Sequence, residues 1–162
     1  MSLTISALAR CVLPITVALA GSVIPAAADS GTVVPMRSIL RACDFSPIPD
    51  LASASRGTAS AVIHTGGGAV TADIHFAEPS APGTHYDVML IQTPRPSSAP
   101  CDGPGPGVAV GALNTDSVGL ANTTVRDSLR SGTTAVWVFI RQPSPHSQSP
   151  AEFYTSDFAA AV

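Results

Sequence analysis

Histidines, acids and cysteines are the residues here that could do chemistry, so their spacing comes first. The chain has four histidines: His64, His75, His85 and His146. His64 and His75 flank Gly66-Gly67-Gly68, a run that suits a tight hairpin because glycine accepts positive φ. A metal shared across that hairpin is the natural first idea, and strand geometry excludes it. With a three-residue loop, Thr65 faces Ala69, Val62 is buried with Val70, Ala72, Ile74 and Phe76, and the two imidazoles point to opposite faces. With a two-residue loop, Ile63 replaces Val62 on the buried side. His64 then opposes Thr71, and His75 opposes Ser60. Four residues at about 3.4 Å each separate the imidazoles by roughly 14 Å, whereas zinc ligands lie only about 2 Å from the metal. The sequence leaves the register open.

Alternating the strands up and down sends His64 to one end of the domain. His75, His85 and His146 fall toward the other, near Asp116, and these four form the one polar cluster worth naming. No G-x-S-x-G, S-x-x-K or H-E-x-x-H motif occurs, and no paired Cys/His spacing suggests a metal. In Gly103–Gly107 the alternating prolines remove the amides that a phosphate-cradling loop needs. Asn114, Asp116 and Gly119 fit positions of a calcium loop, but Val118 and Val125 stand where oxygen ligands are required. These readings assign no catalytic residue, cofactor or metal.

Two cysteines, Cys43 and Cys101, lie in the body of the chain. In an oxidising compartment they are expected to pair. Closing about 60 residues would stabilise the fold by roughly 4 kcal/mol on the chain-entropy account. No C-x-x-C spacing points to redox chemistry. The compartment is read from the start of the chain. Arg10 is followed by an apolar stretch from Cys11 to Ile24 and by Ala26-Ala27-Ala28 before Asp29. A basic residue, an apolar core and an A-x-A site are the parts of a secretory signal peptide. Pro14, Gly21 and Pro25 interrupt the run, against a retained membrane span of about 20 residues. Cleavage after Ala28 is expected, leaving residues 29–162 as one domain with no membrane span. Cys11 follows Arg10 rather than a small residue, which argues against lipid attachment.

The formal net charge is −3, there is no lysine, and charged residues make up 12% of the chain. The usual share is about 25%, so Ser, Thr, Gly, Pro and Ala must form most of the wetted surface. Such a surface offers no electrostatic reason to bind nucleic acid or an anionic membrane.

The elements that would carry these residues are short β-strands. Apolar runs bounded by Gly, Pro, Asn and Asp predict strands at Val33–Leu40, Thr58–Thr65, Ala69–Ala77, His85–Thr93, Val108–Leu113, Leu120–Val125, Thr134–Arg141 and Phe153–Phe158. In Ala135–Ile140 both parities are apolar, which predicts a central strand covered on both faces, with Trp137 a core anchor. Asp127–Ser131 could form one helical turn. Pro94–Gly107 and Gln142–Pro150 read as long Pro/Ser-rich loops. An odd number of strands separates them, so they should emerge at opposite ends, the first with Gly66–Gly68. The pattern is all-β: an antiparallel immunoglobulin-like (Greek-key) sandwich of about seven to eight strands.

Three segments carry a resemblance: His85-Tyr86-Asp87-Val88-Met89-Leu90-Ile91-Gln92, Gly111–Gly119 and Glu152-Phe153-Tyr154-Thr155-Ser156-Asp157-Phe158. They resemble small exported proteins of mycobacteria and their relatives, over roughly Arg37 onward. The resemblance implies location and architecture and assigns no catalytic residue. The Thr115-Asp116-x-x-Gly119 turn is similar to one that recurs in extracellular immunoglobulin-like sandwiches. The expected function is therefore an exported, non-enzymatic module that binds a protein, glycan or envelope component through its loops. The alternative is a small extracytoplasmic hydrolase or metal protein using His85, His146 and Asp116, with Ser or Tyr154.

Overall fold

The computed structural model describes residues 31–49 and 55–162. The leader at 1–28, with Cys11 and the Ala26–Ala28 site, lies outside the described residues. Nine strands follow in order: β1 (Thr32–Arg37), β2 (Thr58–Gly66), β3 (Ala69–Ala77), β4 (His85–Thr93), β5 (Val108–Asn114), β6 (Leu120–Ser128), β7 (Ala135–Gln142), β8 (Glu152–Ser156) and β9 (Ala160–Ala161). There is no helix among the described residues, so none is long and apolar enough to cross a membrane. The eight expected strands are all present, with small shifts at their ends. The helical turn considered at Asp127–Ser131 does not form. Asp127 and Ser128 instead pair with Val70 and Ala69, because β3 is long enough to keep β6 extended. The ninth strand is a two-residue pairing of Ala160–Ala161 with Val136 and Ala135.

All pairings are antiparallel, in the order β5-β4-β7-β8-β1-β2-β3-β6. β1 makes the ring nearly continuous by serving two neighbours. Thr32–Pro35 pair with β2, and Met36–Arg37 pair with β8. The remaining seam lies between β5 and β6, which pack without pairing. A Cβ at Gly111 would sit 2.6 Å from Val125 Cγ2, so glycine is what lets β5 approach β6 there. The β2–β3 hairpin adopts the two-residue loop, with Gly66 opposite Ala69. Gly67 and Gly68 both have positive φ, 58° and 75°, as the favoured hairpin turn requires. Ile63, not Val62, is therefore buried.

Alternating residues of β4 and β7 feed two apolar layers. Tyr86, Val88, Leu90, Val136, Val138 and Ile140 point into the interior of the nearly closed sheet. Met89, Ile91, Trp137 and Phe139 point outward and are buried all the same, beneath Leu40, Cys43, Phe45 and Cys101. The two-sided burial expected of β7 is thus met by irregular chain rather than by a third layer. The Cys43–Cys101 disulfide is formed. Trp137 is fully buried, its ring 5.5 Å from Phe45 and 6.3 Å from Phe139.

Covering that outer face moves the first long loop. It begins and ends at the expected end of the fold, where the Gln92 amide donates to Gly107 O (2.9 Å) and the Leu129 amide to Gly68 O (2.9 Å). Its middle folds back over the sheet, so that Asp102 O accepts from Arg141 Nη2 at 3.1 Å. Arg141 directly precedes the second loop. Strict segregation of the loops by end does not hold, because the apolar outer residues of β4 and β7 draw Cys101 and its neighbours across them.

Replacing Trp137 with Ala removes the centre of the outer layer and should lower unfolding stability by about 3–5 kcal/mol. Chemical denaturation monitored by circular dichroism measures this, and an unchanged midpoint would contradict the packing described.

Candidate functional sites

The structure does not gather the expected polar cluster. His75 lies on the outer face of β3, its Nδ1 2.7 Å from Asn122 Oδ1 of β6. His85 lies on the outer face of β4, a strand that does not pair with β3. Its Nδ1 is 2.9 Å from Asn114 Oδ1 and its Nε2 3.2 Å from Asp87 Oδ1. The Asn114 contact, with help from Asp87, raises the imidazole pKa despite partial desolvation. Asp116 is consumed by its own turn. One carboxylate oxygen accepts the Val118 and Leu120 amides, both at 2.9 Å. Those bonds, Leu120 foremost, hold its pKa below the usual carboxylate range. His146 sits in the exposed second loop. No hydrogen bond joins any two of these four, and no three His, Cys, Asp or Glu among the described residues are placed to hold a metal. His64 and His75 share a face in the observed register, and His64 Nε2 lies 3.4 Å from Asp73 Oδ2. Two shallow grooves of about 410 and 550 Å³ run along this face, meeting at His75 and Asn122.

A second assembly was not anticipated from sequence. Tyr86 and Tyr154 point inward and flank Phe76, with ring centroids 4.7 and 5.2 Å away. Their hydroxyls meet two buried carboxylates, Glu78 and Glu152. Tyr86 OH donates to Glu152 Oε2 at 3.0 Å, and Tyr154 OH donates to Glu152 Oε1. Tyr154 OH also lies 3.4 Å from Glu78 Oε2 and accepts the Gly57 amide at 2.9 Å. The Arg56 amide reaches Glu152 Oε1 at 3.3 Å, and Ser80 donates to Glu78 from both its amide and its hydroxyl. A Cβ at Gly57 would lie 2.6 Å from Ala77 O and 2.7 Å from Tyr154 OH, so this close approach needs glycine. A cavity of about 210 Å³ borders the group at Arg56, Glu78, Ser80, Gln142 and Glu152.

Desolvation pushes the Glu78 carboxyl up, but the Ser80 and Tyr154 hydrogen bonds and the nearby Arg56 charge outweigh it, and its pKa lies below normal. A general acid needs the opposite shift. Desolvation first, then Glu152, raises both tyrosines well above their ordinary value. Glu78 and the two tyrosines are thereby held in their ordinary neutral-pH forms. The arrangement ties together the start of β2, the end of β3, β4 and β8, and acts as a clamp. Its sequence signal was parity: Glu152 and Tyr154 share a strand face, and Tyr86 has the inward parity of Val88 and Leu90.

The third site is the first long loop. Pro94, Arg95, Pro96, Pro104, Pro106 and Arg130 border a cavity of about 380 Å³. Gln92, fully buried, frames it. Its side-chain oxygen accepts the Arg130 amide (2.9 Å) and Thr133 Oγ1 (2.7 Å), and its nitrogen donates to Asp127 Oδ2 (2.7 Å) and Ser128 O (2.9 Å). All four hydrogen-bonding positions of the amide are used. Arg95 spans the loop from Pro100 O (2.7 Å) to Gly107 O (3.3 Å). Gly107 has φ of 73°, and a Cβ there would collide with Arg130 Nε. Comparison with protein-family models, with curated proteins and with solved structures gave no match.

The clamp predicts a pH signature. A tyrosine whose folded pKa is raised contributes stability that is complete below its unfolded value of about 10 and is lost as pH rises through the folded value. The depressed Glu78 works in reverse: its contribution is complete above about pH 4.3 and disappears as pH falls through the folded value. With no lysine in the chain, Tyr154→Phe should flatten the alkaline decline of the denaturation midpoint, and Glu78→Gln the acid one. Parallel curves for variant and parent would contradict the clamp.

Proposed function

We propose that the chain is an exported, non-enzymatic binding module of the immunoglobulin-like Greek-key type, and that it binds through the disulfide-anchored Pro94–Gly107 loop. Two features of the fold support the sandwich reading. β1 joins the run β2-β3-β6 to the run β8-β7-β4-β5 in one nearly closed ring, and the chain crosses between these two runs before β4, before β6 and before β7, as a Greek-key sandwich requires. The Asp116 turn is built as such loops are, with the carboxylate capping Val118 and Leu120 and with Gly119 at φ 82°. The leader pattern and the resemblance to exported mycobacterial proteins support export. The formed disulfide is compatible with an extracytoplasmic location.

The observation that carries the reading is the preorganised loop. Pro94–Gly107 contains no strand of its own, yet the Cys43–Cys101 bond, Gln92, Arg95 and Arg141 hold it in one shape around a cavity. A loop ordered before binding avoids much of the entropy lost on association. The tyrosine–glutamate group and the Asp116 turn, by contrast, are engaged internally. The partner is an envelope component, glycan or protein met outside the cytoplasm.

Titrating the ¹⁵N-labelled, oxidised chain with cell-envelope extract tests this. The amide signals of Ala99, Gly103, Gly105 and Gly107 should move first. Changes confined to other surfaces, or none at all, would overturn the proposal.

A further inference from the structure

Arg95 and Arg130 have no acidic partner. Their guanidinium groups border the same cavity, and neither takes part in a salt bridge among the described residues. The Nε of each is buried with no hydrogen-bond partner. Both side chains are half-buried, and the Arg95 Nη atoms already donate to Gly107 O and Pro100 O, so the unmet donors are the two Nε groups. An orphaned cationic donor is destabilising unless something accepts from it. Two adjacent ones compound that, since each charge repels the other. Desolvation, and then Arg130, depress the Arg95 pKa accordingly. Asp102 stands on the cavity rim but is exposed, and its carbonyl is turned to Arg141.

The rest of the lining selects the anion. Pro94, Pro96, Pro100, Pro104 and Pro106 supply apolar rings and no amide N–H. The cavity therefore sets two arginines among exposed proline rings, with Asp102 at the rim, at a volume near the lower end of small-ligand sites. A guanidinium matches a carboxylate through two parallel hydrogen bonds. The walls favour a hydrophobic body attached to it.

We infer that the Arg95–Arg130 cavity is a binding site for a small organic carboxylate with an apolar body. This rests on the reading that the loop is the binding surface, and it names the ligand class. Gln92 is the positioning residue. Its backbone fixes Gly107 and its side chain fixes Arg130, so both walls are set from one buried amide.

The test uses the oxidised full chain, with benzoate as the probe and benzamide as its neutral counterpart. Benzoate should shift the Arg95 and Arg130 Nε–H signals and the Gly103 and Gly105 amides saturably. Benzamide and acetate should bind at least about tenfold more weakly, because one lacks the charge and the other the apolar body. Arg130→Gln should weaken benzoate about tenfold or more, the usual effect of losing a charge-assisted hydrogen bond. Its denaturation midpoint should stay level or rise, since that guanidinium has no internal ion pair to lose. A lowered midpoint would make Arg130 structural and overturn the inference, as would inorganic phosphate binding more tightly than benzoate, or benzoate and benzamide shifting the same signals equally. Loop shifts with envelope extract but not with benzoate remove the ligand class and leave the binding reading. Absence of both removes the two together.

Discussion

The burial of β7 and β4 on both faces constrains everything else in this protein. Their inward residues pack in the interior of the nearly closed sheet, but Met89, Ile91, Trp137 and Phe139 would face water on the other side. Among the described residues there is no helix to lay over them. The cover comes from two irregular segments, Leu40–Phe45 and the loop around Cys101, neither with enough apolar surface or backbone pairing to stay in place alone. The disulfide joins them across the sheet, Arg41 closes over Phe45 at 4.0 Å, and Arg141 takes the Asp102 carbonyl. A covering requirement thereby becomes a fixed loop, and the fixed loop encloses the arginine cavity.

The two ends of the inter-sheet space are finished with buried polar groups, in two different ways. One end is closed by Gln92, neutral and fully satisfied, which can be buried at little net penalty. The other carries two carboxylates. Burying those would be strongly unfavourable without donors, and the tyrosine hydroxyls, the Ser80 groups and the Arg56 amide supply them, while the Gly57 amide donates to the Tyr154 hydroxyl. Gly119 contributes from β6's turn. Its carbonyl accepts the Glu78 amide at 2.8 Å, and its missing side chain makes room for the Glu78 carbonyl. Outside these ends, Arg95 and Arg130 lie at one cavity, each with a buried Nε that lacks an acceptor.

Most of the strand pattern was legible because alternation and turn residues are local. The double parity of Ala135–Ile140 also correctly announced a strand covered twice. The nature of the cover was not legible, since nothing local in Ala42-Cys43-Asp44-Phe45 says that it will lie on Trp137. The histidine and Asp116 cluster failed for a related reason. Strand direction places residues at an end, but not on a face, and His75 and His85 lie on opposite outer faces. Glu78, Glu152, Tyr86 and Tyr154 could have been grouped by inward parity. Glu78 lies just beyond the end of β3 and Glu152 opens β8, however, where parity is weakest. Arg95 and Arg130 are 35 positions apart, and only the fold brings them together.

Trp137 is the single tryptophan in the chain, which makes its emission a clean report on the outer layer. The decisive measurement is acrylamide quenching of that emission under native conditions, in the oxidised protein and in a Cys43→Ala, Cys101→Ala double variant whose far-ultraviolet circular dichroism is unchanged. The account predicts a shielded indole in the oxidised protein. In the variant it predicts a quenchable, red-shifted one, because the unjoined loops no longer hold their cover. Equal shielding in both would contradict the claim that the disulfide keeps the outer layer, and with it the loop cavity, in place.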